Sequence, residues 1–179
     1  ISKVLEVAID TEGAPVIFVV LIPLIWRAWG RFAMVTFAVA GGLTGVVSLI
    51  DLASRPRPGQ DFTFGDVVYG QGGYPSRHVI FAVMVFGLLV FFLNRYSAPT
   101  KKRAALAWGL VTVVVLMGPS RLVKQAHWPA DVTGGYLIGL TLVLSTIWLH
   151  FRILPWIGPR FPRLHSLLTG DSWPRPEEG

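Results

Sequence analysis

The stretch SRLVKQAHWPAD, residues 120–131, gathers Ser120, Arg121, Lys124, His127 and Asp131 between two long uncharged runs. Pro129 suits the first position of a helix, because its fixed φ matches and its missing N–H is not needed there. Asp131 then falls in the first turn, where its carboxylate can turn back and accept the Nδ1–H of His127. That bond would fix the tautomer whose Nε2 is free to attack, the logic of an orienting acid applied to a histidine nucleophile. Arg121, at the end of the preceding helix, adds a permanent positive charge.

Two other constellations carry compatible chemistry. In GYPSRHV, residues 73–79, Pro75 and Ser76 read as the start of a helix, with Ser76 as N-cap and Arg77 and His78 in the first turn. Backbone N–H groups without helical partners favour an anion there, and His78 would stand beside it with a proton to give. In RPRP, residues 55–58, Pro56 and Pro58 push the residues before them out of the helical region, so Arg55 and Arg57 sit in an extended segment. Guanidinium forks are planar, always charged and bidentate toward phosphate oxygens.

Positioning these groups falls to apolar helices. The chain has 179 residues, of which 53% are hydrophobic and 15% charged, and a mean hydropathy of +0.57, which is too apolar for an ordinary soluble domain. Uncharged runs at 32–50, 78–94, 104–120 and 132–151 can each cross a hydrocarbon core of about 30 Å as a helix. A shorter run at 13–26 carries Pro23 and completes a span with its flanking residues. The expectation is an all-α polytopic membrane bundle with spans near 13–29, 31–52, 76–95, 103–121 and 129–152. Gly41 with Gly45, and Gly135 with Gly139, would let helices approach closely.

Charge orders the connections. Residues 27–31 and 95–103 are basic without an acid, as cytoplasmic loops should be, whereas 1–13, 51–77 and 119–131 lie on the opposite face. All three constellations share that second face, which would be extracytoplasmic at a plasma membrane. A basic, histidine-bearing pocket at a bilayer surface suits a phosphate carried on a lipid, whose tail stays among the helices. The formal charge of +6 thus reflects topology and contact with lipid headgroups, not nucleic acid. No cysteine is present, so no thiolate metal site is expected.

At these residues the chain resembles the type 2 phosphatidic acid phosphatase family, which also includes vanadium haloperoxidases. The family's third motif, Ser-Arg-x5-His-x3-Asp, is matched by Ser120, Arg121, His127 and Asp131. Its second, Pro-Ser-Gly-His, stands here as Pro75, Ser76, Arg77 and His78, with arginine in place of glycine. Its first, Lys-x6-Arg-Pro, is matched at Arg57 and Pro58, but Ile50 holds the lysine position, or Ser48 when counting from Arg55. The resemblance implies a metal-independent phosphatase without cofactor. His127 would form a phosphohistidine, Asp131 would orient it, and His78 would protonate the leaving oxygen and then activate water. Arg57 and Arg121 would hold the phosphoryl oxygens, with Ser76, Arg77 and Arg55 as further phosphate-binding groups. Arg77 is the expected replacement for the missing lysine.

The family has six transmembrane helices, so five visible spans would imply that the first is absent. Residues 1–179 are expected to form one membrane-embedded domain, in which 1–12 is an interfacial helix and 153–179 a cytoplasmic tail. Phosphatidic acid, phosphatidylglycerol phosphate and polyprenyl diphosphates are the expected substrates. Two other readings stay open on the sequence: a phosphotransferase using the same intermediate, and a lipid-phosphate binding protein that has lost catalysis. Transport is disfavoured, because no charged residue lies in the middle of a span.

Overall fold

The computed structural model describes residues 13–49, 56–59 and 72–170. Six helices follow one another there: α1 (Gly13–Trp29), α2 (Arg31–Leu49), α3 (Arg77–Tyr96), α4 (Lys101–Val123), α5 (Pro129–Arg160) and α6 (Pro162–Thr169). The expected interfacial helix at 1–12 lies outside the described residues.

Gly30 joins α1 to α2 at φ +90°, a conformation that a residue with a side chain rarely adopts. Its N–H donates to the Trp26 carbonyl at 2.9 Å and closes α1. The centre of the bundle is α3, which packs against α1, α2, α4 and α5. Val79, Ile80, Ala82, Val83, Met84, Val85, Leu88 and Phe92 are all buried, which covers every face of that helix. A helix apolar all round has no side to give to water.

Glycines set the α3–α5 contact. A Cβ at Gly135 would lie 2.9 Å from the Ser76 carbonyl oxygen, and one at Gly139 would lie 2.8 Å from the Val83 Cβ. Between lipid-embedded helices close packing replaces the hydrophobic drive, and small residues permit it. The other pair divides. The Phe18 ring, stacked on Phe37 at 4.6 Å, fills the space where a Gly41 Cβ would stand, while Gly45 faces open space.

The outer surface is apolar: Trp108, Val115, Leu116, Leu137, Leu140, Leu144 and Trp148 are exposed. Helices α3, α4 and α5 are long and apolar enough to cross a membrane, and α1 and α2 are shorter apolar helices. The chain is an all-α membrane bundle. One difference concerns the end of the fifth expected span, where the helix continues through Pro155 and Pro159 to Arg160 and is followed by α6. Each proline removes one backbone donor and leaves the neighbouring helical bonds in place.

A hydrogen-bonded chain closes the end of the bundle where α3 terminates. The Tyr96 hydroxyl meets His150 Nε2 at 2.6 Å, and His150 Nδ1 meets Thr36 Oγ1 at 2.9 Å. Thr36 donates its proton to the Phe32 carbonyl at 2.9 Å, so its oxygen accepts from Nδ1–H and the bare Nε2 accepts from Tyr96. Phe32 stacks on the imidazole at 4.4 Å. This chain joins α2, α3 and α5.

Candidate active site

At the opposite end, the start of α3, the end of α4, the start of α5 and the segment 56–59 come together. Ser76 stands at the N-cap of α3, as expected, but its hydroxyl caps no backbone N–H. Its carbonyl accepts from Val79 and Ile80, and its own N–H donates to the Asp131 carbonyl at 3.0 Å, which fastens α3 to the first turn of α5. The Ser76 hydroxyl is fully buried and has no hydrogen-bond partner among the described residues.

His127 precedes α5 and is buried. Its Nδ1 lies 2.8 Å from the Gly73 carbonyl oxygen, which can only accept, so Nδ1 carries the proton and Nε2 is left bare. The tautomer is the one expected, but the acceptor is a backbone carbonyl. Asp131 Oδ2 lies 3.7 Å from Nδ1, beyond hydrogen-bond distance. It accepts the Trp128 backbone N–H at 2.8 Å instead, closing the N-terminus of its own helix and acting on the imidazole as a charge.

The turn into His127 is tight. Gln125 adopts φ 53°, and the Ala126 N–H donates back to the Arg121 carbonyl at 3.0 Å. A left-handed residue other than glycine costs on the order of 1–3 kcal/mol and persists where its surroundings fix it. The turn returns the chain over the end of α4, where Arg121 is buried. Arg121 Nε donates to Ser120 Oγ at 3.4 Å, and Ser120 donates to the Met117 carbonyl at 2.6 Å.

His78 lies in the first turn of α3, and its ring centroid is 6.5 Å from that of His127 at an interplanar angle of 65°. Arg57 is half-buried. The carbonyl of Pro56 beside it accepts the Trp128 indole N–H at 2.8 Å, which ties the RPRP segment to the His127 loop. Arg77 opens α3 and is half-buried, whereas Lys124 is exposed. Arg55 and the lysine-equivalent Ile50 lie outside the described residues.

Burial holds His127 below the usual histidine pKa. The Gly73 hydrogen bond opposes this, Arg57 adds to it, Asp131 opposes it and Arg121 adds to it. A depressed folded pKa makes the neutral ring a source of stability above the unfolded value of about 6.5, and that stability is lost as pH falls through the folded value. The thermal midpoint of the wild type should therefore drop more steeply below pH ~6.5 than that of His127→Asn. Equal slopes would remove the effect from His127.

Sequence reasoning missed Gly73 and Trp128. An acceptor supplied by a backbone carbonyl has no residue-type signal, and the Trp128 indole reaches the Pro56 carbonyl across 72 residues of chain. His150 is buried in the far hydrogen-bonded chain and takes no part in this site. Among the described residues, no group of three or more His, Cys, Asp or Glu is placed to hold a metal.

Two imidazoles and two guanidiniums thus meet at one end of an all-α membrane bundle. The PAP2 superfamily model matches residues 17–155, and the chain belongs to that superfamily. Phosphatidylglycerophosphatase B of Bacillus subtilis (strain 168) is 31% identical over 70 residues, which is 38% of this chain and 34% of that relative. The chain thus spans about a third of the relative's length in the match. No solved structure matches.

Proposed function

We propose that this chain is a membrane-embedded lipid phosphate phosphatase working through a phosphohistidine on His127. The carrying observation is the pair of imidazoles, 6.5 Å apart between ring centroids, one with its tautomer set by Gly73. A phosphoryl group fits between two such rings. Nε2 of His127 attacks phosphorus, the bond from phosphorus to the lipid oxygen breaks, and His78 gives that oxygen a proton. His78 then takes a proton from water, whose oxygen attacks phosphorus; the P–N bond breaks and inorganic phosphate leaves.

Charge in this transition state spreads over the phosphoryl oxygens, so fixed cations aimed at them supply most of the help. Arg121 and Arg57 are in that role, and their combined pull on His127 supports their nearness to the reacting centre. The buried Ser76 hydroxyl has a proton to donate to the same oxygens, which would offset the cost of leaving it unbonded, about 1–3 kcal/mol. Asp131 steadies the imidazole as it gains positive charge. Arg77 supplies the charge that Ile50 does not.

The matched relative's name points to phosphatidylglycerol phosphate as the first substrate to try, with phosphatidic acid and a polyprenyl diphosphate beside it. The charge asymmetry of the connections supports an outward-facing site at the plasma membrane. Purified protein in detergent micelles, given these three lipids with and without a chelator, should release phosphate from at least one at an unchanged rate when chelated. Absence of release from all three, or activity only with added metal, would sink this proposal.

A further inference from the structure

We infer that Tyr136 is a positioning residue for Arg121, acting through the broken backbone of α4. The inference rests on the role proposed above for Arg121. Pro119 lies inside α4, and because proline has no N–H the carbonyl four residues earlier, that of Val115, loses its helical donor. Tyr136, about two turns into α5, replaces it. Its hydroxyl lies 2.9 Å from the Val115 carbonyl and 2.9 Å from the Val114 carbonyl, and it accepts the Gly118 N–H at 2.9 Å. One proton shared between two carbonyls and one lone pair taken by an N–H account for the whole group.

The fit is built on both helices. A Cβ at Gly118 would stand 2.7 Å from the Tyr136 oxygen and 2.6 Å from its ring, so glycine is what admits the phenol to the α4 backbone. Past the break the bonding continues toward the site: Ser120 donates to the Met117 carbonyl, and Arg121 Nε donates to Ser120. The direction of the last turn of α4 is therefore fixed from α5 at a point where the helix cannot fix it alone. Side-chain insertion and proline are the usual causes of a change in helix direction, and here the two occur together, directly before the arginine.

The test is a double-mutant cycle on turnover and on competitive inhibition by inorganic phosphate. Tyr136→Phe keeps the ring and removes the hydroxyl; it should lower kcat/KM about tenfold and weaken phosphate inhibition similarly, as expected when buried polar groups lose their partner. In the Arg121→Ala background the same change should cost less than about twofold, because the group it positions is gone. An equal cost in both backgrounds, or no cost in the wild type, would overturn the inference. Arg121→Ala retaining wild-type turnover would instead refute the role given to Arg121 and would take the positioning claim with it. Tyr136→Phe lowering only the thermal midpoint, with kinetics unchanged, would show a structural bond and would also overturn it.

Discussion

His127→Ala is expected to reduce phosphate release on the order of 10⁴-fold or more, because it removes the proposed nucleophile and leaves only binding and charge stabilisation. The buried ring already has its proton on Nδ1 through the Gly73 carbonyl, so no rearrangement precedes attack by Nε2. The result is read with a radiolabelled aryl phosphate and acid-sensitive trapping. The wild type should carry a transient label that acid removes, and His127→Ala should carry none. A label of undiminished size in His127→Ala would place the nucleophile elsewhere.

His78→Ala is expected to cost on the order of 10²–10⁴-fold with lipid substrates, the usual worth of a positioned general acid and base. Its signature is kinetic. An aryl phosphate with a good leaving group needs no proton for the first step, so the variant should still take up label on His127. Water then attacks without a base, and the label should persist longer than in the wild type. A variant that loses label formation and turnover equally would show that His78 binds substrate and does not transfer protons. Together the two variants separate attack from hydrolysis, which neither does alone.

Most of the architecture was legible in uncharged run lengths. A helix rising about 1.5 Å per residue must be about 20 residues long to cross the core, and the ends of α3 and α4 fall within a few residues of the expected positions. Pro155 and Pro159 misled at the end of α5, since a proline in an apolar helix costs a bond without ending it. The convergence of His78, Arg57, Arg121 and His127 followed from topology, because alternate connections share a face. The acceptor for His127 did not. Asp131 at the His+4 position looks like the orienting acid, yet its carboxylate accepts the Trp128 N–H at 2.8 Å and stays 3.7 Å from His127 Nδ1. Tyr136 was equally hidden: its spacing from Pro119 means nothing until α4 and α5 lie side by side.

The chain of Tyr96, His150 and Thr36 contains no formal ion pair, only neutral groups sharing protons inside a ring of aromatics. Added electrolyte weakens interactions between exposed charges beyond a screening length of about 8–10 Å at physiological strength, and acts little on uncharged dipoles such as these. Of the two ends of the bundle, the one that carries Arg57 and Arg121 is therefore the more responsive to ionic conditions, because the clasp at the other end holds no charge of its own.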